Sequence, residues 1–117
     1  MVLSQSDVVE LVAAAVNAFQ GDDRLLQSQL PGLTVAAIPE TDSFQLRPTQ
    51  GVPLGSVRGV FADADLADVD GVPVHVLLHI MDGRLAELEI YRDDLGRLKA
   101  PIVPSQVIFY IHGPSKL

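Results

Sequence analysis

The chain has no cysteine and no tryptophan among its 117 residues. Without cysteine there can be no disulfide, no thiolate nucleophile and no Cys-ligated zinc. Small secreted domains often depend on disulfides, so this absence points to a reducing cytoplasm. Aromatic residues are few, with four Phe and two Tyr. The core must therefore come from Val, Leu, Ile and Ala. The longest apolar run, Leu11 to Val16, falls far short of the ~20 residues needed to cross a bilayer. Positive charge is scarce too. Eight Lys and Arg stand against 15 Asp and Glu, for a net charge of −7. Nucleic acid and anionic membrane surfaces are disfavoured as partners, because both are bound through Lys and Arg. A basic protein partner is compatible with this charge, and so is solubility alone.

Hydrophobic residues make up 48% of the chain and charged residues 20%, which is a globular balance. The length suits one domain over residues 1–117, able to bury a core without a disulfide or metal staple. The opening MVLSQSDVVELVAAAV lacks a basic segment and meets Asp7 and Glu10 early. It is not expected to be a signal peptide, and a soluble cytoplasmic protein is expected.

Val8, Leu11, Val12, Ala15, Val16 and Phe19 follow the spacing of one buried helix face. Ser6 or Asp7 can cap this helix and Gly21 can end it. A second helix is expected over Asp22 to Leu30, stopped by Pro31-Gly32. The pattern then turns to strands: Leu33–Ile38, Ser43–Arg47, Val57–Ala62, Val74–Met81, Leu85–Arg92 and a possible last one in QVIFYIH. An acidic connection, ADADLADVDG, precedes the fourth. The expected fold is α+β, with an N-terminal helix or helical pair packed on one face of an antiparallel sheet of about five strands.

The strands around Asp82-Gly83 carry the most information. With a two-residue loop, Leu78 faces Glu87 and Val76 faces Glu89, so two glutamates join the apolar face. With a three-residue loop, Asp82-Gly83-Arg84, Leu78 pairs with Leu88, Val76 with Ile90 and Ile80 with Ala86. One face then holds Val74, Val76, Leu78, Ile80, Ala86, Leu88 and Ile90, all apolar. A one-residue slip flips every side chain, so the three-residue loop is preferred, with Gly83 as a left-handed bulge residue. The other face is mixed: His75, Leu77, His79, Met81, Leu85, Glu87, Glu89 and Tyr91.

No complete catalytic or cofactor motif is present. His75 and His79 form H-x-x-x-H, a zinc pair on a helix. On a strand that spacing spans about 13 Å, too far for one ion. No structural metal and no cofactor are expected. Across the hairpin His79 faces Glu87, His75 faces Tyr91 and Leu77 faces Glu89. His79–Glu87 could act as an acid–base couple, or as an ordinary cross-strand polar pair. Asp63, Asp65, Asp68 and Asp70 fail the EF-hand spacing from either start and suggest a solvated acidic loop. Gly51, Gly55 and Gly59 do not form a phosphate loop, the serines lack nucleophile-elbow flanks, and His112 has no visible partner.

The segment GVPVHVLLHIMDGRLAELEIYRDD, with LLQSQLPGLTV ahead of it, resembles a group of small bacterial α+β proteins of unknown function. Some of these carry a Cys-rich segment where this chain has AIPETDSFQLR, so no metal role is carried over. The resemblance implies a small α+β domain and no activity. The Asp-Gly-Arg turn before a Tyr-ending strand is also similar to the last hairpin of cone-shaped NTF2-like domains.

These features favour a non-enzymatic protein-interaction module, of which an immunity-type protein binding a basic partner is one instance. The alternative is a cone-shaped small-ligand binder or enzyme using His79, Glu87, Glu89 and Tyr91. No catalytic residue is assigned. The candidate binding face is His75, His79, Glu87, Glu89 and Tyr91. Leu77, Met81 and Leu85 on the same face would be a liability if bare, so a homodimer or a protein partner is expected to cover it.

Overall fold

The computed structural model describes residues 3–19, 24–55 and 57–112. Helix α1 spans Gln5–Asn17 and buries Val8, Leu11, Val12, Ala15 and Val16. Its cap is Ser4 rather than Ser6 or Asp7. The Ser4 hydroxyl accepts the Asp7 N–H at 3.1 Å, and the Asp7 carboxylate accepts the Ser4 N–H at 3.3 Å. This capping box satisfies two backbone donors that the first turn leaves open. The helix ends at Asn17, so Phe19 lies beyond it, half-buried, with its ring edge-on to Phe61 at 5.2 Å. Gly21 and Asp22, expected to end one helix and start the next, lie outside the described residues. Helix α2 is one turn, Arg24–Gln27, and buries Leu26.

The strands are β1 (Thr34–Ala37), β2 (Phe44–Arg47), β3 (Gly59–Ala67), β4 (Pro73–Met81), β5 (Arg84–Arg92) and β6 (Tyr110–Ile111). They form one antiparallel sheet of six strands in the order β1-β2-β5-β4-β3-β6. The α+β expectation therefore holds, with one strand more than the five anticipated. Strand β3 runs on through Asp63 and Asp65, which the sequence places in a loop. Those aspartates alternate with the buried residues Ala62 and Ala64, the period of a strand with one wet face. A bulge at Phe61 lets consecutive Phe61 and Ala62 both turn inward.

One face of the sheet shares a single core with α1. Val74, Val76, Leu78, Ile80, Leu85, Leu88 and Ile90 on the hairpin pack in the same cluster as the buried residues of α1. The hairpin pairs His75 with Tyr91, Val76 with Ile90, Leu77 with Glu89, Leu78 with Leu88 and His79 with Glu87, as expected. Its tip is different. Met81 pairs with Arg84 and Ile80 with Leu85, so the loop is Asp82-Gly83 alone. Both loop residues have positive φ, 51° and 74°, the pattern of a type I′ turn, whose twist matches that of the strands it joins. The parity problem of a two-residue loop is removed by a bulge at Ala86. Leu85 consequently turns into the core, 1% exposed, and leaves the mixed face.

Among the described residues, no helix is long and apolar enough to cross a membrane.

Candidate functional site

Period-2 alternation along β4 and β5 projects His75, Leu77, His79 and Met81 beside Glu87, Glu89 and Tyr91, on the sheet face opposite α1. All five candidate residues, His75, His79, Glu87, Glu89 and Tyr91, lie on this outer face. Strand β3 adds Asp63 opposite Leu77 and Asp65 opposite His75, and β6 adds Tyr110 beside Asp63. Met81, Tyr91 and Tyr110 are exposed, at 55%, 39% and 66%, so no other segment described here covers them.

His79 does not bond to Glu87 across the strand. Its Nε2 lies 2.8 Å from Oε1 of Glu89, which faces Leu77. Diagonal neighbours two residues along lie within reach of long side chains, and here the diagonal is preferred. Glu87 remains close: one ligand atom each from His79, Glu87 and Glu89 lie within 4.8 Å of one another. A shallow groove beside them is lined by Gln45, Arg58, Gly59, Met81 and Ala86.

His75 sits between two carboxylates. Its Nδ1 is 2.6 Å from Asp65 Oδ1, and its Nε2 is hydrogen-bonded to Asp93 Oδ1. Its ring stacks on Tyr91, with centroids 4.9 Å apart and planes at 30°. The hydrogen bond to Asp93, then that to Asp65, raise its pKa above the ordinary 6.5, against a smaller opposing effect of burial. An acceptor at each ring nitrogen favours the doubly protonated form. His112, which has no evident partner in the sequence, meets Asp63 at 2.9 Å where β6 joins β3.

On the inner face a second charged group, missed in the sequence, closes one end of the core. Arg92 is opposite Val74 and only 2% exposed. Its guanidinium donates to Asp94 at 3.0 and 2.7 Å, to Asp70 at 3.2 and 2.9 Å, and to Asp68 at 2.7 Å. Asp68 also accepts the backbone N–H groups of Lys99 and Val69. Burial works to raise the Asp68 pKa, but these hydrogen bonds outweigh it and hold the carboxyl below its ordinary value. The Arg92 hydrogen bonds hold Asp70 and Asp94 low as well. Asp68 is therefore buried with Arg92, and Asp70 reaches the same guanidinium from the surface, so neither is a free carboxylate of a solvated loop. An Asp-rich turn two strands away from a lone core-face Arg was the available signal.

Residues 37–101 match the model of the DUF6984 family, described as a domain of unknown function. The matched segment contains His75, His79, Glu87, Glu89, Tyr91 and the whole Arg92 cluster. No curated protein and no solved structure matches the chain.

Proposed function

The chain belongs to the DUF6984 family, whose description names no activity, and from its geometry we propose a non-enzymatic protein-interaction module that docks a basic protein. The observation that carries this reading is the bare outer face of the sheet, where exposed Tyr91 and Tyr110 stand among Asp63, Asp65 and Asp93. Tyrosine gives an interface a large, rigid contact area with a polar tip. The surrounding carboxylates steer a partner rich in Lys and Arg and disfavour an acidic one. The net charge of −7 adds to that steering.

Arg58 and Arg84 stand with Glu87 and Glu89 towards the Asp82-Gly83 turn, while Asp65, Asp93 and Tyr91 gather about His75 at the other end. The basic partner is expected on the end away from these two arginines. A cytoplasmic setting fits a chain with no cysteine. An immunity-type protein that neutralises a basic toxin would belong to this class.

Photo-crosslinking in the native cell tests this, with Tyr110 replaced by benzoylphenylalanine. The expected product joins the chain to a protein of high isoelectric point. Its yield should drop with Asp65→Lys and in lysate brought to about 0.5 M salt, where the screening length is only a few ångströms. A product of twice the chain mass alone would replace the basic partner by a second copy. A yield indifferent to salt and to Asp65→Lys would reject charge-guided docking.

A further inference from the structure

We propose that His79, Glu87 and Glu89 form a labile binding site for a first-row divalent cation such as Zn²⁺, independent of the protein-docking reading above. The three residues come from two adjacent strands. Register places His79 directly opposite Glu87, and Glu89 on the diagonal. One ligand atom from each lies within 4.8 Å of the other two, and His79 Nε2 is already 2.8 Å from Glu89 Oε1. Zinc–nitrogen and zinc–oxygen bonds of about 2.0–2.1 Å set neighbouring ligand atoms of a tetrahedral sphere about 3.3 Å apart. The His79–Glu89 separation is shorter than that figure and no separation in the set exceeds 4.8 Å, so the three ligand atoms already lie near the spacing one ion needs.

The donor types narrow the choice of ion. One imidazole and two carboxylates suit Zn²⁺, Mn²⁺, Co²⁺ or Ni²⁺, whereas Mg²⁺ and Ca²⁺ take oxygen ligands. All three side chains are half-buried, which limits competition from water without closing the site. His79 and Glu87 themselves line the groove with Gln45, Arg58 and Met81, which gives water or an incoming ligand access to them. Three protein ligands with an open position describe an exchangeable site rather than a structural one.

The same face carries its own controls. His75 lies between Asp65 and Asp93, and His112 lies against Asp63, yet neither brings together three ligand atoms in the way the His79 group does among the described residues. Glu87 is the discriminating residue. The His79–Glu89 hydrogen bond is complete without it, so a simple polar pair gives Glu87 no part in cation binding.

The experiment is calorimetric titration of the full, tag-free chain with Zn²⁺, and with Mg²⁺ for comparison. The expected result is one equivalent of Zn²⁺ bound and no measurable Mg²⁺ binding. Glu87→Gln and His79→Gln should each weaken Zn²⁺ binding at least about tenfold, while His75→Gln and His112→Gln leave it unchanged. Far-UV circular dichroism confirms that each variant is folded. In parallel, Mn²⁺ should broaden the His79 imidazole proton resonances before those of His75 or His112. Zn²⁺ affinity unaltered by Glu87→Gln, or broadening centred on His75 or His112, would overturn the site. So would a wild-type chain that takes up no Zn²⁺.

Discussion

Gln29 holds Gly83, 54 residues away in sequence, by a buried hydrogen bond of 2.9 Å from its Nε2 to the Gly83 carbonyl. The same carboxamide accepts the Leu85 N–H at 2.9 Å and donates to the Val52 carbonyl at 3.0 Å. It thus ties the hairpin tip to the 52–54 loop at a point that strand β2 does not reach. Gln29→Leu keeps the volume and removes these bonds. Each buried group left unpaired costs about 1–3 kcal/mol. We expect a lower urea midpoint and faster hydrogen exchange at the Leu85 amide. An unchanged exchange rate would show that the contact does not hold the tip.

Gly83 and Gly71 both have positive φ, +74° and +85°, but only Gly83 is crowded. A Cβ at Gly83 would lie 2.5 Å from Leu54 N and against the Gly55 carbonyl, whereas one at Gly71 would meet nothing within 4 Å. Gly71→Ala should cost the backbone strain alone, about 1–2 kcal/mol. Gly83→Ala should cost clearly more, because backbone must move. Equal losses in urea titrations would contradict the close approach.

The tip register makes Leu85 a core residue alongside Leu88, at 1% and 0% exposure. Leu85→Ala and Leu88→Ala should each cost about 2–5 kcal/mol. Glu87→Ala, on the outer face, should stay within about 0.5–1 kcal/mol. A mild Leu85→Ala would restore the three-residue loop, which points that side chain outward.

His75 carries a pH dependence of definite sign. Its folded pKa is raised above 6.5 by Asp93 and Asp65. The stabilisation is full below that unfolded value and is lost as pH rises through the folded value. The stability gap between wild type and His75→Gln should therefore be larger at about pH 6 than at about pH 9. Chemical denaturation at the two values measures it, and a gap that widens with pH would contradict the Asp65–His75–Asp93 arrangement.

The Arg92 cluster acts at the acid end. Asp68, Asp70 and Asp94 titrate below the ordinary 3.8 in the folded state. Their stabilisation is present above that value and is lost as pH falls through the folded values. Asp94→Asn removes the charge and one of the two oxygens that accept from the guanidinium and should move the acid-unfolding midpoint to higher pH. An acid transition at the same pH would show that Asp94 contributes nothing to it.

The chain's own periodicities determined its helix and most of its strands. Apolar spacing named the buried residues of α1, and the alternation of apolar residues in β4 and β5 paired Leu78 with Leu88 and His79 with Glu87. Such periods are legible because burial acts on every second or every third to fourth residue of a continuous segment. The set of candidate residues on the outer face followed from the same parity. Only the tertiary structure decided their partners. That His79 turns to Glu89, that Asp65 and Asp93 enclose His75, and that Asp63 meets His112 depends on which strand lies beside which. The Ala86 bulge, which moved Leu85 into the core, reconciles two local rules that conflict in the linear chain: a turn matched to strand twist, and a clean apolar face. Gln29 and the Arg92 cluster were missed for a related reason. A polar residue is buried only where the fold supplies its hydrogen-bond partners, and all those of Gln29, with Asp68 and Asp70 for Arg92, come from segments more than 20 residues away in sequence.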